Sequence, residues 1–125
     1  MKYKTEKDLE KDVIKQFKNN SYFVRKMNCD DPGFPDLFVA DMGNTCLIEI
    51  KLPKQNCKLI DLFEKSQYPW FLEYTKHSNN NYYLLYYWKN LYRLFLTEDI
   101  VENIYSNIDD IPYTRDSTKA FLKIL

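Results

Sequence analysis

Two carboxylates and an ammonium, Asp36, Glu49 and Lys51, fall within the otherwise apolar stretch GFPDLFVADMGNTCLIEIK that runs from position 33 to 51. Charges inside an apolar strand are costly to bury unless something compensates them. Side chains alternate faces along a strand, so Glu49 and Lys51 project to one side, about 6.5–7 Å apart, while Ile48 and Ile50 project to the other. A hairpin through Asp41-Met42-Gly43-Asn44 brings Asp36 beside Glu49. Two carboxylates without a partner repel, and one takes up a proton. A divalent cation with oxygen ligands resolves the conflict, because Mg2+ takes one or two carboxylates and completes its shell with waters and phosphate oxygens. The chemistry that uses such a group is phosphodiester hydrolysis, in which the metal acidifies a water and neutralises charge at phosphorus. Lys51 would position or help deprotonate that water, or stabilise the oxyanion, and the Ile50 carbonyl is a candidate further ligand.

The elements that must position these groups read as α-β-β-β-α-β-β-α. The first helix spans about residues 5–19, with Thr5 as cap, Glu6 and Asp8 in the first turn, and an apolar stripe of Leu9, Val13, Ile14 and Phe17. Strands follow at 22–27, 36–40 and 46–52, the second preceded by the turn-rich loop NCDDPGFP, and Pro53 ends the third. A helix is expected over 59–76, kinked or broken at Pro69. The runs NYYLLYYW and LYRLFL make a second hairpin around Lys89-Asn90, and Asn79-Asn80-Asn81 reads as a loop. Thr97 opens a short helix with a capping-type start, and the tail TKAFLKIL is ambiguous between strand and helix. The strand near 82–87 is apolar on both faces, which calls for cover on both sides. The fold class is therefore α/β (α+β), a mixed central sheet flanked by helices in one domain spanning 1–125.

Composition narrows the function. No run of about 18 apolar residues is present, so nothing reads as a membrane span. The N-terminal residues lack the apolar core of a signal peptide, which makes an intracellular, cytoplasmic location the expectation. Three widely spaced cysteines (Cys29, Cys46, Cys57) and one histidine (His77) supply no structural zinc site and a poor basis for a nucleophile–histidine pair. Net charge is zero, but residues 1–29 carry eight Lys/Arg against four Asp/Glu, residues 30–50 five acids and no base, and residues 51–65 four bases against two acids. An acidic block between basic flanks suits a cation site beside a phosphate-binding surface.

The pair Pro35-Asp36 with Glu49-Ile50-Lys51 resembles the PD-(D/E)-x-K nuclease signature, and the element order resembles that superfamily's αβββαβ, restriction-endonuclease-like core. The resemblance implies that Asp36 and Glu49 hold the metal and that Lys51 serves catalysis. The first helix and strand, from Glu10 through Val13, Ile14 and Phe17 to Phe23, Val24, Arg25 and Lys26, are similar to the acid-bearing helix of archaeal-type Holliday-junction resolvases and VRR-NUC domains. Glu10 is then the helix acid and a further metal ligand, with Glu6 as the alternative. Ser66-Gln67 and Trp70 resemble the S-x-x-Q-x-x-W run of VRR-NUC domains, shortened before the Gln, which adds Gln67 to the catalytic set of Glu10, Asp36, Glu49 and Lys51. The 82–96 hairpin resembles that of bacterial RecU-type resolvases. The acidic loop containing Asp30 and Asp31 departs from the relatives, and a loop role is favoured for both.

The resemblance implies a Mg2+-dependent, structure-specific DNA endonuclease, with Mn2+ able to substitute, acting on branched or junction DNA as a homodimer. Lys7, Lys11, Arg25, Lys26, Lys54 and Lys58, with Lys2, Lys4 and Lys15, would contact phosphates without reading sequence. A restriction-type or RNA-cleaving nuclease of the same fold, or a non-catalytic DNA- or protein-binding module, remains open. Each residue also has a plainer reading. Glu49 and Lys51 would be a surface pair on an edge strand, Asp36 a turn residue, Glu10 the wet edge of a helix and Gln67 a surface amide. Trp70 and Trp88 read as core anchors, and the tyrosines of 82–87 as core and interface.

Overall fold

The computed structural model describes residues 2–28, 30–78 and 81–112. Helix α1 (Glu6–Asn19) is capped as expected. The Thr5 hydroxyl accepts the Asp8 N–H at 3.2 Å and the Asp8 carboxylate accepts the Thr5 N–H. Strands β1 (Phe23–Lys26), β2 (Leu37–Asp41) and β3 (Asn44–Lys51) form an antiparallel meander. A crossover containing the 3-10 turn Leu59–Leu62 and helix α2 (Gln67–His77) leads to β4 (Asn81–Trp88), which pairs parallel to β3. Strand β5 (Leu91–Phe95) returns antiparallel to β4, and α3 (Thr97–Asn103) follows. The five strands lie in sequence order in one mixed sheet.

Both hairpins close through two residues of positive φ, Met42 and Gly43 in the first, Lys89 and Asn90 in the second. That geometry matches the right-handed twist of the strands. Two apolar layers sandwich the sheet. Leu9, Val13 and Phe17 of α1 pack with Val39, Ile48, Ile50 and Leu85 on one face. Leu59, Phe71 and Ile100 pack with Leu47, Tyr82, Leu84 and Tyr86 on the other. Strand β4 is buried on both faces, as its double-sided apolar pattern requires.

The structure departs from the sequence reading at three places. The single helix expected over 59–76 is two pieces separated by residues 63–66. Pro69 neither kinks nor breaks α2, because it sits in the first turn, where the backbone N–H has no intrahelical partner to lose. Thr97 does not cap α3: its hydroxyl donates to the Tyr82 carbonyl at 3.2 Å, and Asp99 accepts the Leu96 N–H instead. The tail TKAFLKIL, Cys29 and the residue pair 79–80 lie outside the described residues.

Candidate active site

Asp36 and Glu49 meet because of register. Leu37 pairs with Ile48, so the next residue outward on each strand, Asp36 and Glu49, stands opposite its counterpart on one face. The Asp36 Oδ2 accepts the Ile50 N–H at 2.8 Å, which pins the carboxylate to the end of β3. Strand β3 lies between β2 and β4 rather than at an edge, and Glu49 and Lys51 are only 1 % and 5 % exposed. The surface ion-pair reading therefore fails. The Lys51 Nζ sits 3.5 Å from Glu49 Oε2.

Gln67 joins this group from the first residue of α2. Its Nε2 donates to Glu49 Oε2 at 3.0 Å, and its Oε1 accepts the Glu64 N–H at 2.8 Å, which fixes which way the amide points. The stretch between the 3-10 turn and α2 thus has a use that a continuous helix would forfeit: it supplies the Glu64 N–H. The remaining carboxylate oxygen, Glu49 Oε1, is buried and meets no N–H or O–H donor among the described residues; the Asp36 carboxyl group beside Glu49 can bond to it only while one of the two holds a proton.

Electrostatics follow from this crowding. Burial, reinforced by the Asp36 carboxylate, pushes Glu49 up to about 9, with the Lys51 ammonium opposing. Burial also raises Asp36, opposed first by the Ile50 N–H. The metal-free pair therefore holds a proton near neutral pH, as two confined carboxylates must. An orphaned buried oxygen, a second carboxylate beside it and a nearby ammonium fit a hard, oxygen-ligated divalent cation. Among the described residues no three His, Cys, Asp or Glu side chains gather as a ligand set. One or two carboxylates suffice for a cation that keeps waters and takes substrate oxygens.

Glu10 does not complete a three-carboxylate set. It is buried on α1, but its Oε1 is held by the Lys26 Nζ at 3.0 Å. Its charge reaches Asp36. Glu6, the alternative helix acid, acts electrostatically on Glu49. It lines a cleft of about 530 Å³ together with Lys51, Leu52, Pro53, Lys54 and Asp61. Desolvation raises its carboxyl, and the Lys51 ammonium counters it. Lys7, Lys11, Arg25, Lys26, Lys54 and Lys58 are all exposed. Lys54 donates to the Lys4 carbonyl at 2.6 Å, and the Arg25 guanidinium lies over the Phe23 ring at 4.1 Å. Asp31 accepts the Trp70 indole N–H at 3.1 Å, a loop-to-helix tie. His77 sits on the exposed end of α2 beside Glu73 at 3.1 Å, and Cys46 is buried in the core.

The sequence reading missed Tyr82, whose buried hydroxyl lacks a partner and lies within the electrostatic reach of Glu49 and Asp36. The Tyr-rich run hid it: only the parallel register, Leu47 with Tyr82 and Glu49 with Leu84, puts it on the carboxylate face.

This mixed five-stranded sheet with helices on both faces is the restriction-endonuclease-like nuclease fold. Among solved structures, Archaeoglobus fulgidus Hjc, a Holliday junction resolvase from an archaeal hyperthermophile, matches with a TM-score of 0.64 over 91% of this chain and 94% of that chain, at 15% identity. A bacterial homing endonuclease matches with a TM-score of 0.48, 12% identity, and coverage of 90% and 78%. No family model and no curated protein matches the sequence.

Proposed function

We propose that this chain is a divalent-metal-dependent DNA endonuclease. The observation that carries the proposal is the buried Glu49 carboxyl, which has one orphaned oxygen, Asp36 opposite it and the Lys51 ammonium at 3.5 Å from its other oxygen. Asp36, Glu49 and the Ile50 carbonyl are the groups that would hold Mg2+ or Mn2+. When bound, the metal supplies an acidified water and neutralises charge on the scissile phosphate.

The chain's own residues do the rest. Asp36 is oriented by the Ile50 N–H, and Glu49 by Gln67, so neither carboxylate must reorganise during reaction. Lys51 lines the cleft, where its ammonium can donate to a non-bridging phosphate oxygen and stabilise the charge that develops there. Glu6, which lines the same cleft, is the candidate acceptor of a hydrogen bond from the attacking water. The exposed lysines of α1 and of positions 54 and 58 hold the DNA backbone without reading sequence.

Branched or four-way-junction DNA is the proposed substrate, supported by the fold shared with a protein described as a Holliday junction resolvase. A homodimer is the corresponding assembly, because two nicks on one junction need two sites. Incubating the protein with four-way junction, flap, linear duplex and RNA, with Mg2+ or with chelator, tests the reading. Metal-dependent cleavage of branched DNA is expected from the wild type. Glu49→Gln should lose cleavage by three orders of magnitude or more while retaining DNA binding; retained cleavage would remove Glu49 from the mechanism.

A further inference from the structure

The strand next to the carboxylate pair carries a second polar atom that packing alone leaves unexplained. Tyr82 is fully buried, and its hydroxyl has no hydrogen-bond partner among the described residues. Buried side-chain oxygens are nearly always paired, so each exception calls for a reason. Glu49 Oε1, on the neighbouring strand, is another such exception. The two belong to one face. Tyr82 stands in register with Leu47, one step along that face from Glu49, which pairs with Leu84. With parallel strands about 4.8 Å apart and a rise of about 3.3 Å per residue, such diagonal neighbours have backbones about 8 Å apart, within reach of a tyrosine side chain.

The ring packs against two others. Phe71 meets it edge-on at 4.8 Å and Trp70 lies at 6.3 Å. Both belong to α2, the helix whose first residue, Gln67, donates to Glu49 Oε2. Its backbone is anchored as well, since the Tyr82 carbonyl accepts the Thr97 hydroxyl. Burial, reinforced by the charges of Glu49 and Asp36, keeps the hydroxyl protonated, so it is a donor.

We infer that the Tyr82 hydroxyl is a positioning residue of the metal site, donating a hydrogen bond to the Glu49 carboxyl group directly or through one buried water. Gln67 holds one oxygen of Glu49 and Tyr82 serves the other side of the group, so the carboxylate meets the metal in one orientation. The inference rests on the metal-binding reading above and adds a residue to it. Tyr86 supplies an internal control. Its hydroxyl is also buried without a partner, on the same strand and face, but the groups that act on it are Arg93 and Cys57 rather than the carboxylate pair.

The test is Mn2+ titration by calorimetry on the full chain, with Tyr82→Phe, Tyr86→Phe and Glu49→Gln beside the wild type. Partners that orient a metal ligand typically contribute about 10–100-fold in affinity, so Tyr82→Phe should weaken Mn2+ binding about tenfold or more, with Tyr86→Phe within about twofold of wild type. Equal affinity in Tyr82→Phe and wild type, or an equal loss in both tyrosine variants, overturns the role of Tyr82 while leaving the metal site standing. Absence of any Glu49-dependent Mn2+ binding overturns both. Ultraviolet difference spectra of the wild type give a readout that needs no variant to fold. Mn2+ should perturb a tyrosine band, and a flat difference spectrum contradicts the inference.

Discussion

At the scale of single residues, the group of Asp36, Glu49 and Lys51 is built from charges that the fold confines. Glu49 illustrates the consequence. Its folded-state pKa, about 9, lies well above the ordinary carboxylate range. Between those two values the metal-free native state keeps a proton that the unfolded chain has released. Stability contributed by that proton is fully present below the unfolded pKa and is lost as pH rises through the folded one. The melting temperature in chelator should therefore fall as pH rises from about 5 to 9, and saturating Mg2+ or Mn2+ should flatten the fall by replacing the proton. Thermal denaturation across that range checks it: Glu49→Gln should remove this part of the slope, and an unchanged slope would mean that other groups cause it.

At the scale of elements, the site depends on how the loop before β2 is pressed against the start of α2. Gly33 adopts φ +92, and a Cβ there would lie 2.4 Å from the Ser66 carbonyl oxygen and 2.9 Å from the Trp70 Cβ. The Phe34 and Trp70 rings meet at 5.0 Å, and Asp31 accepts the Trp70 indole N–H. Gly33→Ala should cost upward of about 1 kcal/mol, because the left-handed backbone disfavours a side chain. The obstructing atom is backbone and cannot simply turn aside. Displacing Ser66 moves Gln67, so cleavage should fall along with the melting temperature; a variant that melts and cuts like wild type would show that this contact does not hold the site.

The legibility of these elements followed the range of the signal. Both hairpins, the Thr5 cap and the strand pairing of Asp36 with Glu49 were readable because turn residues and alternation are local. The break between Leu62 and Gln67 was not, since LIDLFEKSQYPWFL carries apolar residues through the break and only tertiary packing stops the helix. Glu10 and Glu6 lie on or beside one helical stripe, so spacing alone does not separate them, and Lys26, which sits against Glu10, arrives from a different element. Tyr82 was invisible for the same reason: parallel register across a crossover of some thirty residues is not written in either strand.

At the scale of the whole molecule, zero net charge conceals segregation, with the N-terminal 29 residues strongly basic and the next 21 acidic. Lys7 and Lys11 lie one helical turn apart on the exposed side of α1, whose other side is packed on the sheet. If α1 faces the DNA backbone, the double substitution Lys7→Ala and Lys11→Ala should weaken binding to every sequence alike. It should also reduce the slope of log affinity against log salt by about 2, leaving the melting temperature within a degree or two. An unchanged slope would place the DNA on another surface. No helix among the described residues is long and apolar enough to cross a membrane.

The proposed cation lies between the carboxylates of Asp36 and Glu49, and anomalous diffraction from Mn2+-soaked crystals tests for it directly. The expected result is a strong anomalous peak within coordination distance of both Asp36 and Glu49, lost in Glu49→Gln crystals soaked alike. A peak bound elsewhere, or none at Mn2+ concentrations that support cleavage, would contradict the assignment of these residues as the metal centre.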